Sequence, residues 1–492
     1  MSGLAPPVGH DKLIDILEAC KGREVWIVGD LMLDEYVHGF VERISPEAPV
    51  PVVRAEEPQF RLGGAANVAR QVAVLGGRAS LAGVIGKDEA GRQLLADCAA
   101  AGINTRAVVQ ESRRRTTRKL RVLGRGQQLI RLDWEDASPC AAGVVAQLHE
   151  LLDDGARPDV VILSDYAKGV LTDATIGRFI DAGRSAGCRV VVDPKRRDFS
   201  AYRGASILTP NLGELSQAAG TQLSSDEPEA VAAAARPFVY AAELESLIVT
   251  MGDRGMLIVD SSGHSQHVPA VRRAVSDVTG AGDTAVAVLG TTLAAGATVL
   301  QSAEIANVAA GLAVAEVGAV AVDPAKIGLA LVDIRGGKIL SRSELATRAA
   351  GWRVMGKKVV FTNGCFDLLH AGHLSLLHDA AELGDVLVLA INSDDSVRRL
   401  KGPDRPIVTA SERAALLAAL SCVDAVTIFD EDTPLATLRA VRPHVLVKGQ
   451  DYGIDKVVGR ELIESDGGRV ALVPLLSEKS TSALVERIRR KT

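Results

Sequence analysis

The feature that most constrains the fold is a repeated order of strand followed by helix. Short apolar runs at residues 25–28, 160–163, 190–192 and 247–249 are each followed by Gly, Asp or Pro, and Ala-rich stretches separate them. Strands that are buried on both faces of a parallel sheet read as continuous apolar runs of this kind. The sequence therefore predicts an α/β fold in which helices cover both faces of the sheet.

Two segments break this order. Residues 50–54 and 117–133 have the pattern of amphipathic strands, with little helical sequence between them. We expect them to form a small antiparallel β lid on the main sheet.

A second strand–helix series begins late in the chain. After residue 320 the first pattern decays, and Ser341 or Ser343 is placed to cap a helix that runs to about Val354. Apolar runs then resume at residues 358–361, 386–389, 425–428 and 445–447. This organisation predicts a first domain over residues 1–335, a linker and connecting helix over 336–357, and a second domain over 358–492.

Charge and cysteine usage exclude several classes of protein. The 56 basic and 61 acidic residues are spread without a long basic block, so no nucleic-acid groove is indicated. Residues 284–303 are uncharged but rich in Gly, Thr and Ser, which favours a buried helix over a membrane span. The six cysteines form no Cys-x-x-Cys pair, and the first twenty residues have no apolar signal core. We expect a cytoplasmic protein that neither binds nucleic acid nor inserts into a membrane.

A glycine-rich turn near the end of the first domain has the features of a phosphate site. Residues 277–284 read Asp-Val-Thr-Gly-Ala-Gly-Asp-Thr and precede an Ala-rich helix. The backbone N–H groups of such a turn can converge at the helix N-terminus, where the dipole favours an anion. Asp283 is then placed to take a proton from an attacking hydroxyl. Taken alone, this turn is also compatible with a plain strand-to-helix connection.

Three further segments accompany this turn, at residues 63–69, 209–214 and 249–255. In this order and spacing, the four motifs resemble those of the ribokinase-like sugar kinases over about residues 20–330. The resemblance implies a three-layer domain with Asp283 as the catalytic base and the amides of Gly280, Ala281 and Gly282 as the hole for the transferred phosphoryl group. It also implies contacts to Mg²⁺ and ATP phosphates from Asn211 and Glu214, and an ATP-binding turn that contains Thr250, Gly252 and Gly255.

The sugar site is assigned from the same resemblance. Asp30, Asp34, Gly64 and Asn67 resemble residues that hold sugar hydroxyls, and a carboxylate at a strand end can accept two hydroxyl protons. For Asp34 a helix or turn cap remains an alternative. Lys195 could meet a phosphate, although an ordinary surface lysine is the competing interpretation.

The second domain opens with a histidine pair. His370 and His373 are spaced i, i+3 at the start of a helix that follows a strand, so both imidazoles can face one phosphate. The alternatives are a zinc site and core histidines. The sequence has neither the Glu of H-E-x-x-H nor an evident third ligand, so we predict that no metal is held there.

This segment, residues 361–373, resembles the signature of the cytidylyltransferase-like superfamily. Residues 448–452 (Lys-Gly-Gln-Asp-Tyr) match a second motif of that superfamily, and Ser480-Thr481-Ser482 matches a third, where many members carry Thr in place of Ser482. The resemblance implies a Rossmann-like nucleotidyltransferase domain. It implies nucleotide contacts from Gly364, Phe366, Asp367, Lys401, Lys448, Asp451, Ser480, Thr481, Ser482 and Arg487.

A sugar kinase fused to a nucleotidyltransferase is chemically coherent if the first domain phosphorylates an anomeric hydroxyl. With residues 43–52, this order of motifs resembles the bifunctional heptose 7-phosphate kinases/heptose 1-phosphate adenylyltransferases. That resemblance implies ATP as substrate, Mg²⁺, and formation of the 1,7-bisphosphate and then, after a separate phosphatase, of ADP-heptose for lipopolysaccharide core. Another sugar or polyol phosphate, CTP, and a non-catalytic sensing module remain alternatives.

A substrate that already carries a phosphate needs a cationic pocket far from the transferred group. The basic run at residues 113–121 could supply it, and Lys119 and Arg121 are the candidates. In kinases of this kind the lid strands tend to pair between subunits, so we expect a homodimer through the lid.

Overall fold

A computed structural model describes residues 10–124, 127–148, 157–271, 277–316, 318–334, 337–450, 453 and 457–474. The chain divides into two compact units, made essentially of Asp15–Ile327 and Gly328–Thr492. In the parts of the chain described, no helix is both long and apolar enough to cross a membrane.

Unit 1 is built on a mainly parallel sheet. Its strands are β1 (Glu24–Gly29), β5 (Arg78–Gly86), β6 (Asn104–Glu111), β9 (Val160–Ser164), β10 (Arg189–Asp193), β11 (Ile207–Leu208), β12 (Ser246–Thr250), β13 (Met256–Asp260) and β14 (Ser265–Val268). Among the described residues their order is β14-β13-β12-β11-β10-β9-β1-β5-β6, and the pairs β12–β13 and β13–β14 at one end are antiparallel.

Helices pack on both faces of this sheet, because successive side chains of each strand point to opposite sides. Val161 and Leu163 are fully buried and lie in one apolar cluster with Phe179. Ile162 points the other way and approaches Gly290 so closely that a Cβ there would lie 2.6 Å from its side chain. The helices of unit 1 are Ala65–Val74, Glu89–Ala100, Ala142–Leu148, Asp173–Ala186, Leu212–Ala219, Pro228–Ala241, Ala281–Ala294 and Val299–Ala313. The helices His10–Ala19 and Pro324–Ile334 lie where the division between the units falls.

The lid is a second sheet of unit 1. It comprises β2 (Leu31–Ile44), β3 (Pro51–Ala55), β4 (Gln59–Gly64), β7 (Thr117–Gly124) and β8 (Gln127–Trp134). The order is β3-β2-β7-β8, and β4 also pairs with β2. The expectation of an antiparallel lid is wrong for one pair: β2 and β7 are parallel, because they are joined through the main sheet and not by a hairpin. The sequence predicted the two segments that form β3, β7 and β8, but not the 14-residue strand β2 that joins them.

Unit 2 is built on a parallel sheet whose strands are β15 (Val359–Gly364), β16 (Val386–Asn392), β17 (Ala425–Phe429), β18 (Val445–Gly449) and β19 (Arg469–Val473). Among the described residues their order is β17-β16-β15-β18-β19. Its helices are Arg342–Val354, Ala371–Ala381, Asp394–Lys401, Ala410–Ala418, Leu435–Val441 and Arg460–Ser465. The strand order reverses at β15, which is where open α/β sheets bind ligands. The predicted fold class, a three-layer α/β domain with a β lid followed by a Rossmann-like α/β domain, is confirmed.

The helix expected to connect the domains packs inside unit 2. Of the two candidate caps, Ser341 is the one that caps it, through a reciprocal pair of hydrogen bonds with Glu344. Leu345, Ala349 and Trp352 are buried in the apolar cluster that also contains Phe361 of β15. This helix is therefore part of the second core and not a free linker.

Candidate active sites

Polar side chains of unit 1 collect at the carboxyl edge of the main sheet. Asp30 follows β1, Tyr166 follows β9, Asp193 ends β10, Asn211 follows β11 and Thr250 ends β12. Because parallel strands end at the same edge, these five residues lie along one edge of the sheet although they span positions 30 to 250 of the chain.

The glycine-rich turn lies at the N-terminus of the helix Ala281–Ala294, as the sequence predicted. Gly280 is the N-cap residue and has a φ of 79°, and a Cβ there would lie 3.0 Å from Ala319 and 3.1 Å from Asn67. A Cβ on Gly282 would meet nothing within 4 Å. The first turn of a helix has N–H groups without partners inside the helix. The Ala281 N–H makes a long hydrogen bond of 3.4 Å to the Val278 carbonyl, and the turn at residues 280–282 lies at the positive end of the helix dipole.

Asp283 lies on this first turn and is 5% exposed. Its Oδ1 accepts a hydrogen bond of 2.5 Å from the Tyr166 hydroxyl, and its Oδ2 accepts one of 2.9 Å from Asn67 Nδ2. Burial raises the pKa of Asp283 to about 6, although these two hydrogen bonds act in the opposite direction. A carboxylate with a pKa near neutrality is suited to accept a proton at physiological pH.

Two of the predicted sugar ligands, Asn67 and Asp30, form hydrogen bonds within the protein. Asn67 donates to Asp283 and accepts from Arg70 at 3.3 Å. Asp30 is 1% exposed, and its carboxylate accepts three backbone N–H bonds, from Tyr166 (2.9 Å), Lys168 (3.0 Å) and Val170 (3.2 Å). Asp30 thus anchors the loop over residues 165–170.

Asp34 lies inside β2 and is 4% exposed, so the structure excludes the alternative of a helix cap. Its Oδ1 accepts a hydrogen bond of 2.5 Å from Arg121. Strand register also places Asp34 opposite Lys119 of β7 and Arg61 of β4. Residues paired across strands share a face of the sheet, so Asp34 is surrounded by cationic residues.

The guanidinium groups of Arg61 and Arg121 lie over the ring of Tyr36, at 5.0 and 5.2 Å from its centroid. Arg70 contributes a third cation, whose positive charge lowers the pKa of Asp283. Gly64 has a φ of 55°, and a Cβ there would lie 2.6 Å from the Asp30 carbonyl, so this glycine permits β4 to meet β1.

The predicted nucleotide residues of unit 1 lie at the same edge. Asn211 and Glu214 cap the helix Leu212–Ala219 reciprocally, and Lys195 Nζ donates to Glu214 at 3.0 Å. Asn211 also forms an isolated parallel bridge with Thr250. Gly255 has a φ of 89°, and a Cβ there would overlap the Val268 carbonyl at 2.1 Å, whereas a Cβ on Gly252 would meet nothing.

In unit 2 the predicted site lies at the ends of β15 and β18. His370 occupies the N-cap position of the helix Ala371–Ala381 without a side-chain capping bond, and His373 lies on the first turn. Their rings stack, with centroids 3.8 Å apart and planes at 21°, and the ring of Phe366 lies 4.9 Å from that of His373. Burial lowers the pKa of His373 to about 4, and the charges of His370 and Lys401 add to this effect.

Lys448 ends β18 and lies across from the end of β15. Its Nζ donates to Asn363 at the carbonyl oxygen (3.0 Å) and at Oδ1 (2.7 Å). Lys401 is exposed at the end of its helix, close enough to His373 to affect its pKa. The fold thus places Lys401 near His373 and Lys448 beside Asn363 of β15, the strand that leads into the histidine motif.

Asp367 holds a loop instead of facing open space. It is 2% exposed, and its carboxylate accepts bonds from the side chain of Arg405 and from the backbone of Ile407 (2.6 Å) and Val408 (3.3 Å). The buried Arg413 donates to the carbonyls of Val408 (3.0 Å) and Cys365 (2.6 Å). These contacts tie the segment after Lys401 to the histidine motif.

Phe366 has a φ of 47° and a buried ring, and a Cβ on Gly364 would lie 3.1 Å from that ring. Both residues therefore shape the turn that presents His373. Five other predicted residues lie outside the described residues: Asp451, Ser480, Thr481, Ser482 and Arg487.

Sequence reasoning missed several residues of these sites. Tyr166 follows a buried strand, and the strand-end argument that selected Asp30 would have selected it as well. No sequence pattern pointed to Arg61 or Arg70. Arg61 comes near Asp34 through the pairing of β4 with β2, and Arg70 comes near Asp283 through the packing of the helix Ala65–Val74.

Comparison with protein families gives two matches. Residues 23–326 match the pfkB family carbohydrate kinases, and residues 361–469 match the cytidylyltransferase-like family. The two matches correspond to the two sites.

Curated relatives match nearly the whole chain. The chain is 46% identical to the bifunctional protein HldE of Trichlorobacter lovleyi, over 94% of this chain and 94% of that one. It is 45% identical to the bifunctional protein HldE of Caulobacter vibrioides, over 97% and 99% of the two chains.

Solved structures match unit 1 in fold. A ribokinase of Arabidopsis thaliana complexed with ribose and ATP aligns with a TM-score of 0.51 and 21% identity, over 63% of this chain and 99% of that one. Phosphofructokinase-2 of Escherichia coli in complex with potassium aligns with a TM-score of 0.52 and 24% identity, over 62% and 98%.

Proposed function

The chain belongs to the family of bifunctional HldE proteins, and we infer that its two sites carry out two consecutive steps in the synthesis of a nucleotide-activated heptose. Unit 1 transfers the γ-phosphoryl group of ATP to O1 of D-glycero-β-D-manno-heptose 7-phosphate and gives the 1,7-bisphosphate and ADP. Unit 2 transfers AMP from ATP to heptose 1-phosphate and gives ADP-heptose and pyrophosphate. A separate phosphatase must remove the 7-phosphate between the two steps.

The observation that carries the first step is the position of Asp283. Its carboxylate lies in the first turn of a helix whose N-terminal N–H groups would form the phosphoryl hole. The sugar O1–H bond breaks as its proton passes to Asp283, and the oxygen forms the new bond to the γ-phosphorus while the bond to the ADP oxygen breaks. The amides of Gly280, Ala281 and Gly282 stabilise the charge on the phosphoryl oxygens.

The distal phosphate of the substrate fits the cationic face of the lid. The lid face that carries Asp34 also carries Arg121, Lys119 and Arg61. The negative charge of Asp34 helps to raise the pKa of Asp283, so this face lies near the proposed base. Guanidinium groups bind phosphate with charge-assisted hydrogen bonds. A sugar that spans the distance from Asp283 to these arginines would place its two ends as the reaction requires.

The carboxylates near the nucleotide residues fit Mg²⁺. Burial, and then the charges of Glu214 and Asp283, raise the pKa of Asp193 well above its usual range. A divalent cation held by Asp193 and Glu214 through nucleotide phosphates would relieve this repulsion, because Mg²⁺ is commonly bound by one or two carboxylates and substrate phosphates. When bound, Mg²⁺ neutralises the charge of the triphosphate.

The second step rests on the stacked histidines and Lys448. With a pKa of about 4, His373 meets the nucleotide as a neutral imidazole that donates one N–H. Together with His370 and Lys448 it stabilises the charge that develops on the α-phosphate when the sugar 1-phosphate oxygen attacks and pyrophosphate leaves.

The outer face of the lid supports a homodimer. Phe60, Ile130 and Leu132 are 39%, 50% and 40% exposed, and register places Phe60 and Leu132 on the face opposite Asp34. Exposed apolar side chains that cluster on one sheet face mark association surfaces. Sedimentation of the wild type and of Ile130→Glu tests this: a dimer that becomes monomeric supports the proposal, and a wild-type monomer contradicts it.

Mass spectrometry of products tests the two reactions. The full chain is incubated with ATP or CTP, Mg²⁺ and a panel of sugar and polyol phosphates that includes heptose 7-phosphate and heptose 1-phosphate. We expect a bisphosphate from the first heptose and ADP-heptose from the second. A preference for another sugar phosphate or for CTP would correct the substrate, and binding without turnover would indicate a sensing module.

A further inference from the structure

The loop over residues 165–170 is held by four hydrogen bonds from buried side chains to its backbone, and its role is not explained by the motifs. Ala167 adopts a φ of 54°, and Gly169 a φ of 88° at a point where a Cβ would overlap the Ser138 carbonyl at 2.0 Å. A conformation of this kind persists only where surrounding contacts impose it.

Two buried charged groups impose this conformation. The Asp30 carboxylate accepts the N–H groups of Tyr166, Lys168 and Val170. Arg114 is 8% exposed, and its guanidinium donates to the carbonyl of Lys168 at 2.8 Å and to the carbonyl of Ser138. Asp30 thus holds the loop through three of its N–H groups, and Arg114 holds it through the carbonyl of Lys168.

The side chain that this loop presents is Tyr166, whose hydroxyl donates to Asp283 at 2.5 Å. Burial, and then the negative charge of Asp283, raise the pKa of Tyr166 well above its usual range, so the phenol keeps its proton and acts as a donor. Asn67 supplies the second donor to the same carboxylate.

We propose that Tyr166 is a positioning residue of the kinase reaction, whose phenol keeps the Asp283 carboxylate ionised and oriented to accept the proton of the sugar hydroxyl. This rests on the proposed function of unit 1. A hydrogen bond to the charged form of an acid favours that form, so loss of the phenol should make Asp283 a weaker acid.

Other charged groups also face Asp283. They are Asp34 of β2, Arg70 of the helix Ala65–Val74 and Asp193 of β10. Removal of the Tyr166 hydroxyl leaves these three side chains in place. A change in the titration of Asp283 would therefore be due to the loss of the phenol.

The experiment measures the pH dependence of kinase turnover in the full chain with heptose 7-phosphate. Tyr166→Phe keeps the ring and removes the donor, and we expect its acidic limb to move to higher pH by about one unit. At pH 6 the ionised fraction of Asp283 would fall from about one half to about one tenth, so kcat should fall about fivefold. The KM for the sugar should change little. Adenylyl transfer in the same chain reports that the protein is folded, and Tyr240→Phe, at an exposed tyrosine, is the matched control.

A second variant should shift the acidic limb of the pH profile in the opposite direction. Incorporation of 3-fluorotyrosine at position 166 keeps the shape and makes the phenol a stronger donor, so the acidic limb should move to lower pH. A profile for Tyr166→Phe that superimposes on the wild type would overturn the proposal, and so would equal losses of kcat in both variants without a shift in pH.

A readout without turnover separates this proposal from the proposed function. The Asp283 carboxyl carbon is titrated by ¹³C NMR, with Asp283→Asn used for assignment. If the wild type does not phosphorylate any sugar phosphate, the proposed function fails. The effect of the Tyr166 phenol on the ionisation of Asp283 is then supported if Tyr166→Phe raises the measured pKa of Asp283, and it is overturned if that pKa does not change.

Discussion

The hydroxyl of Tyr166 and the carboxylate of Asp283 are hydrogen-bonded at 2.5 Å although 117 residues separate them in the chain. Tyr166 follows a strand of the main sheet, whereas Asp283 opens a helix packed on one face of that sheet. The predicted base therefore receives its partner from another element, and its chemistry depends on the packing of helix on sheet.

Asp283→Asn should abolish sugar phosphorylation and leave adenylyl transfer intact. A general base contributes on the order of 10²- to 10⁴-fold, and the second site lies in a separate compact unit. ADP release with heptose 7-phosphate and ADP-heptose formation from heptose 1-phosphate are measured on the same preparation. Loss of both activities would indicate one composite site.

The stability of unit 1 should depend on the ionisation of Asp283. Its pKa is about 6 in the folded protein, above its usual value, so the protonated form stabilises the fold below about pH 4 and this contribution is lost as the pH rises through 6. At pH 8 the ionised carboxylate costs about 3 kcal/mol of unfolding free energy. Thermal unfolding should therefore show Asp283→Asn more stable than the wild type at pH 8, with a smaller difference at pH 4. Asp181→Asn, at an exposed residue, should show no such trend.

His373→Ala should remove most adenylyl transfer while sugar phosphorylation continues. Removal of one donor that stabilises a transition state costs roughly 3 kcal/mol. Because the pKa of His373 is about 4, its titration should not shape the rate between pH 6 and 8. His378→Ala, later on the same helix, is the control. A kinase defect of equal size in His373→Ala would contradict two independent sites.

Arg121→Ala should weaken binding of the phosphorylated sugar. A hydrogen bond from a charged group contributes about 1.5–3 kcal/mol, so KM for heptose 7-phosphate should rise about 10- to 100-fold, whereas the same sugar without its phosphate should be affected less. Arg121→Lys should restore part of the difference, and Arg92→Ala, at an exposed helix position, should have no effect. Equal losses for both sugars would indicate that Arg121 acts through Asp34 alone.

Residues 1–335 and 336–492, produced as separate chains, should each fold and keep one activity. The helix Arg342–Val354 packs within the second core, so the cut leaves it with the sheet it covers. Circular dichroism and the two activity measurements check this. An insoluble or inactive piece beside an active partner would show that the boundary is placed wrongly.

The sequence by itself determined the fold class and the ends of the strands where chemistry occurs. Apolar runs with helical stretches between them specify a parallel sheet, because strands buried on both faces require continuous apolar sequence. The glycine-rich turn before Asp283 and the helix start at His370 could also be predicted from the sequence, because backbone conformation and helix dipoles depend on neighbouring residues.

Only the tertiary structure decided which side chains meet. Asp30 became the anchor of a loop because three N–H groups from residues 166–170 converge on it, and Asp34 became the partner of Arg121 through the pairing of β2 with β7. Tyr166, Arg61 and Arg70 gained their places in the same way. Contacts of this kind join residues far apart in sequence, and their geometry is set by strand register and helix packing, which no local pattern of residues encodes.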